Sequence, residues 1–109
     1  MKKLYRVRKS EEFSSIISRK KSTANAFFVV YSSDRAKENA RVGISVSKKL
    51  GNAVERNRIK RQVREMLRAL MDFDSYARDL VVIVRKPYLE QSFSDNKNDL
   101  EKMLKQVII

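Results

Sequence analysis

The stretch from Val54 to Met71 constrains this chain more than any other. Projected at about 100° per residue, Ile59, Val63, Met66, Leu67 and Leu70 fall in one arc, which a helix must bury against another layer. Lys60, Arg61, Arg64 and Arg68 fall in the adjoining arc, with Asn57 among them. Arg56, Lys60, Arg64 and Arg68 stand four apart, so like charges stack along the helix and lower its stability. Only Glu55 and Glu65 interrupt the run as acids. A solvated helix face intersperses both signs, whereas this pattern suits a face whose repulsion a polyanion relieves.

The rest of the composition points the same way. The chain has 109 residues, enough for one modest core, and its 25 Lys and Arg against 13 Asp and Glu leave a net charge of +12. It contains no cysteine and no histidine. Disulfides, thiolate metal sites and imidazole-based acid–base or triad chemistry are therefore excluded. Asp72, Asp74 and Asp79 lack convincing ligand spacing and read as an acidic link rather than a metal site. No long apolar run, signal peptide or lipidation motif supports a membrane reading, and a cytoplasmic location is expected.

Ser10, followed by Glu11 and Glu12, predicts a helix N-terminus with Ser10 as its cap; Phe13, Ile16 and Ile17 continue it to about Arg19. Ala26–Ser32 is rich in aromatic and β-branched residues and predicts a strand. Alternation puts Phe27, Val29 and Tyr31 on one face, Phe28 and Val30 on the other. Arg41–Ser47 predicts a second strand, with Val42, Ile44 and Val46 opposite Gly43, Ser45 and Ser47. The short link between the two suggests antiparallel pairing. Gly51 breaks the pattern and Asn52 is placed to cap the basic helix. Asp79–Arg85 reads as a buried third strand that Pro87 ends. Leu100, Met103, Leu104, Val107 and Ile108 mark a C-terminal amphipathic helix. The residues thus mark an α–β–β–α–β–α order in one α+β domain.

The segment Ser45–Glu65, SVSKKLGNAVERNRIKRQVRE, resembles the signature region of the bacterial ribonuclease P protein component. Its centre is the Arg56-Asn57-Arg58 run followed by Ile59-Lys60-Arg61, and SEEFSSI, FFVVYSSD and VIVRKP extend the likeness over nearly the whole chain. The resemblance implies one ribonuclease P protein domain over residues 1–109, with residues 1–9 as a basic N-terminal arm. It also implies an α–β–β–β–α–β–α order, one strand more than the residue pattern marks, in a small, mostly antiparallel sheet packed with helices. The β–α–β crossover around the Arg-Asn-Arg helix is left-handed by the same resemblance, although general chirality rules favour a right-handed one.

In that family the RNA subunit carries the active site and holds catalytic Mg²⁺, while the protein binds that RNA and the single-stranded 5′ leader of precursor tRNA. Carried over to this chain, the RNA-subunit contacts are Lys48, Lys49, Arg56, Asn57, Arg58, Lys60, Arg61 and Arg64. The leader cleft is Phe13, Ile17, Val29, Tyr31 and Lys60. Ile17 departs from the aromatic that some relatives carry there. No catalytic residue and no metal ligand is expected in the protein, which alone is not expected to cleave RNA. Read by itself, Phe13 suits core packing and Tyr31 suits a wet aromatic platform. Ser45 and Ser47, and the arm cations Lys2, Lys3, Arg6, Arg8 and Lys9, are further candidates for RNA contact. The competing readings are a ribosomal or chaperone-type RNA binder, a DNA-binding regulator and a stand-alone nuclease. The last two lack, respectively, a helix at helix-turn-helix spacing and a histidine.

Overall fold

A computed structural model describes residues 2–107 of the chain. Met1 of the basic arm and Ile108 of the C-terminal stripe lie outside the described residues. The elements are α1 (Ser10–Ser18), β1 (Ser22–Ala24), β2 (Phe28–Asp34), β3 (Val42–Val46), α2 (Ala53–Leu70), β4 (Arg78–Val84) and α3 (Phe93–Val107). Short 3₁₀ turns occupy Lys3–Tyr5, Lys48–Leu50 and Lys86–Glu90.

The sheet order is β1-β2-β4-β3, with β1–β2 and β2–β4 antiparallel and β3–β4 parallel. The additional strand is therefore Ser22–Ala24 at the sheet edge. It follows a turn in which Lys20 takes a left-handed φ of 57°. The expected antiparallel pairing of Ala26–Ser32 with Arg41–Ser47 is corrected: β4 lies between β2 and β3. Leu80, Val81, Val82 and Val84 are all buried, so this continuous apolar run occupies the centre, where both faces are covered. The link between β2 and β3 is laced onto the start of β4. Asp79 accepts the Ala36 amide at 3.2 Å and the Arg41 amide at 2.9 Å, and Arg35 donates to the Asp74 and Tyr76 carbonyls. Asp79 thus belongs to a buried strand rather than to a flexible acidic link.

One sheet face carries the main core. Phe28, Val30, Val42, Val46, Leu80, Val82 and Val84 pack there against Ile59, Val63, Met66 and Leu67 of α2 and Leu100, Met103, Leu104 and Val107 of α3. Leu70, expected in the buried arc, is half-buried at the end of α2, and Phe27 joins this core from just before β2. Phe28 meets Tyr88 edge-on at 5.7 Å. The Tyr88 hydroxyl donates to Gln62 and that of Tyr76 to the Leu104 carbonyl, each at 2.8 Å; burial pushes both hydroxyls up to about 12.

The opposite face carries α1. Ser10 is the first helical residue, not the cap: Lys9 holds that position, and Glu12 reaches back to accept the Lys9 amide at 3.4 Å. The N-terminal segment is docked rather than free. Arg6 bridges to Val42 in parallel, the Val7 amide donates to the Val42 carbonyl at 3.0 Å, and Tyr5 stacks on Phe73 at 4.6 Å. Among the described residues no helix is long and apolar enough to cross a membrane.

Candidate nucleic-acid interface

The basic helix starts where the backbone demands it. Gly51 has φ 145°, and a Cβ there would stand 2.6 Å from a Glu55 carboxylate oxygen. Glycine tolerates both the conformation and the close approach. Asn52 then caps α2, its side-chain oxygen accepting the Glu55 amide at 2.9 Å. In the preceding turn Leu50 is buried as an anchor, and Lys48 and Lys49 remain exposed.

The cationic stripe divides into two flanks. Arg56, Lys60 and Arg64 repeat every four residues and are half-buried, whereas Asn57, Arg58, Arg61 and Arg68 are exposed. On the inner flank, Lys60 and Arg64 join Arg6, Val7, Phe13, Val42, Gly43 and Ile44 around a cavity of about 130 Å³. The Nε atoms of Arg6 and Arg56 are buried without a hydrogen-bond partner. Burial, then the charges of Arg6 and Arg61, push the Arg64 guanidinium below its ordinary value. Cations crowded so closely and left unpaired favour an anion. On the outer flank, Arg58 borders a smaller cavity with Gln62 and Tyr88, and Arg68 is partly offset by Glu65 at 3.5 Å.

The sheet face under α1 supplies flat and apolar surface. Cross-strand register aligns Ser22, Tyr31, Val81 and Gly43 in one row and Ala24, Val29, Ile83 and Ser45 in the next. Ile16 and Val81 are buried between helix and sheet together with Val7, and Phe13, Ile17, Tyr31 and Ile83 pack around them half-buried. The neighbouring row stays accessible, with Val29, Ile83 and Ser45 half-buried. Ser47 lies beyond β3 and is exposed. Gly43 makes room for Phe13: a Cβ at Gly43 would lie 2.5 Å from the Phe13 ring.

Phe13 and Lys60 thus line one cavity, Phe13, Ile17 and Tyr31 pack around the same cluster of Val7, Ile16 and Val81, and Val29 lies on the next row of the same face. Lys48, Lys49, Asn57, Arg58 and Arg61 are exposed and do not line that cavity. Sequence reasoning missed the placement of Arg6 against α2 and the part of Gly43, although an isolated glycine inside a strand signals close approach. It also missed Arg41, half-buried between Glu12 and Asp79. Among the described residues no group of three or more His, Cys, Asp or Glu is placed to hold a metal ion.

Fold and surface together define a small α+β protein that offers a polyanion a cationic helix beside a partly aromatic sheet face. A family model for ribonuclease P matches residues 1–108. A ribonuclease P protein component from Bacillus cereus (strain AH187) is 45% identical over 107 residues, which are 97% of this chain and 93% of that one. Solved ribonuclease P proteins of Staphylococcus aureus and Thermotoga maritima superpose with TM-scores of 0.81 and 0.79, at 42% and 32% identity. Each superposition covers 93% of this chain, and 93% and 96% of those chains respectively. The chain belongs to the ribonuclease P protein family: it is the protein subunit of an endoribonuclease holoenzyme that processes the 5′ leader of tRNA.

Proposed function

We propose that the two flanks of α2 divide the RNA between them. The exposed flank, Asn57, Arg58 and Arg61 with Lys48 and Lys49 ahead of it, docks on phosphates of the RNA subunit. The half-buried flank, Arg56, Lys60 and Arg64, of which Lys60 and Arg64 line the cavity beside Phe13, steadies the 5′ leader where it emerges from that RNA. Phe13, Ile17, Val29 and Tyr31 give the leader apolar and aromatic surface for its bases. The observation that carries this reading is the cavity in which the Phe13 ring meets Lys60, Arg64 and Arg6. Stacking surface beside unpaired cations suits single-stranded RNA better than a duplex groove.

The protein's part in the reaction is then binding and orientation. Holding the leader favours precursor over mature tRNA and places the scissile phosphodiester at the RNA subunit. In this reading hydrolysis and its Mg²⁺ belong to that RNA. Among the described residues the acids nearest the cationic stripe, Glu55 and Glu65, lie exposed on α2, one of them paired with Arg68. The setting is the cytoplasm, where tRNA is processed in bacteria.

The test is reconstitution with a bacterial ribonuclease P RNA at low Mg²⁺, comparing precursor and mature tRNA with and without this protein. The expected result is no cleavage by the protein alone, restored cleavage in the holoenzyme, and a preference for precursor. Replacing Tyr31 with Ala should weaken precursor binding by about 1–3 kcal/mol and leave mature tRNA unaffected. Equal losses on both substrates would reject the cleft.

A further inference from the structure

Arg41 and Glu12 form the one charged tie between α1 and the sheet among the described residues. The Arg41 guanidinium contacts the Glu12 carboxylate through Nη1 and lies 3.5 Å from Asp79 through Nη2. Its side chain is 11% exposed, and that of Asp79 2%. Asp79 is itself held, accepting the Ala36 and Arg41 amides, and Glu12 also accepts the Lys9 amide. A continuous path therefore runs from the start of the central strand, through the start of β3, to the first turn of α1.

A network with Asp79 buried, Arg41 mostly so and Glu12 30% exposed is not explained by stability alone, because desolvating the inner charges offsets much of their attraction. What it supplies is direction. The remaining hold on α1 is apolar, centred on Ile16, the one buried residue of that helix. Apolar contact resists lifting more than rolling or sliding, because it is non-directional. Phe13 follows Glu12 in the chain, and Gly43, beneath the Phe13 ring, lies two residues after Arg41 on the same strand face. The ion pair therefore sets the roll of α1 at the residue that walls the cavity against Lys60 and Arg64.

We infer that Arg41, acting through Glu12, is a positioning residue for leader recognition: it fixes α1 so that Phe13 and Ile17 stand at the right distance from the sheet and from α2. This inference rests on the cleft reading above. Neither residue touches the leader; their effect passes through Phe13.

The experiment uses the holoenzyme reconstituted with a bacterial ribonuclease P RNA. It compares wild type, Glu12→Ala, Glu12→Gln and Arg41→Met for affinity to precursor tRNA, mature tRNA and the RNA subunit alone. Glu12→Ala and Arg41→Met should each lower the precursor-over-mature ratio about 3–10-fold, with RNA-subunit affinity within about two-fold. Glu12→Gln keeps an acceptor for Arg41 and should fall between. On a precursor trimmed to a single leader nucleotide, wild type and variants should converge, a readout that general destabilisation would not produce. Tyr31→Ala is the control. If it lowers the ratio while the Glu12 and Arg41 variants do not, the positioning role is wrong and the cleft stands. If Tyr31→Ala also leaves the ratio unchanged, the cleft reading falls, and the positioning role with it. Should Glu12→Ala and Arg41→Met fail to fold, Glu12→Gln decides: a wild-type ratio overturns the inference.

Discussion

The two faces of the sheet are built differently. On the α2–α3 side a large cluster excludes water, and Phe28, Val30, Leu80 and Val82 are all 0% exposed. On the α1 side the buried hydrophobic cluster is only Val7, Ile16 and Val81, and the surrounding Phe13, Ile17, Tyr31 and Ile83 keep part of their surface in water. The first face holds the fold together. The second keeps apolar and aromatic surface available, which costs hydrophobic stabilisation and suits a surface that binds bases.

The contrast breaks hardest from the thick side. Phe28→Ala removes a fully buried ring packed edge-on to Tyr88 and should cost about 3–5 kcal/mol, read as a shift in the urea midpoint at constant m-value. Against a total stability of about 5–15 kcal/mol, such a loss brings the domain close to unfolding. A cost under about 1 kcal/mol would mean that the core repacks freely and that the two faces differ less than described.

Gly43→Ala probes the thin side. The added Cβ would meet the Phe13 ring at 2.5 Å, so the ring must move. Displacing one ring at a half-open site should cost about 1–2 kcal/mol, less than the Phe28 change. Its signature is lost preference for leader-bearing substrate at temperatures where the domain is still folded. Unchanged preference would show that the position of Phe13 is immaterial to binding.

How legible this contrast is in the sequence depends on the range of the interactions. α2 was readable because its buried arc and its cations repeat within the segment, and Asn52 caps it as expected. The central place of β4 was implicit in its unbroken apolar run, yet a short link made the neighbouring strands read as a pair. What displaced that pairing is β4, paired with both neighbours, and its Asp79 holds Arg41 from 38 positions away, a range at which local pattern carries no signal. β1 was invisible for a related reason: Ser22, Thr23 and Ala24 show no apolar alternation, and the strand exists through its pairing with β2. The site is similar. Family likeness named Phe13, Ile17, Val29, Tyr31 and Lys60, while residue pattern alone assigned Phe13 to the core; the fold shows it half-buried, packed on one side and facing a cavity on the other. By sequence Arg6 belongs to a basic arm; the fold bridges it to Val42 and sets it beside the cavity that Lys60 and Arg64 also line.

The two flanks of α2 sharpen the comparison through salt. Each phosphate contact removed should reduce the slope of log K against log[salt] by about 0.7–0.9. Arg61→Ala should do so for the RNA subunit whether or not precursor is present. Arg64→Ala should do so more strongly when a leader occupies the cleft. An unchanged slope for Arg61→Ala would remove phosphate from that position, and identical behaviour of the two variants would dissolve the division into flanks.

The smallest effect separates the faces by pH. On the α1 side the hydrogen bond from Arg41 holds the Glu12 carboxyl below its ordinary 4.5. A carboxyl lowered on folding contributes stability above the unfolded value, and that contribution is lost as pH falls through the folded one. Solvent around Glu12 keeps the effect small. On the core side burial raises Tyr76 and Tyr88 from 10 to about 12. Their contribution is complete below pH 10 and is lost as pH rises toward about 12, because the unfolded chain ionises first. Urea midpoints across pH should therefore show a shallow acid limb that Glu12→Gln flattens and a steeper alkaline limb that Tyr88→Phe flattens. If Glu12→Gln leaves the acid limb unchanged, the Arg41 pair does not hold α1 through charge.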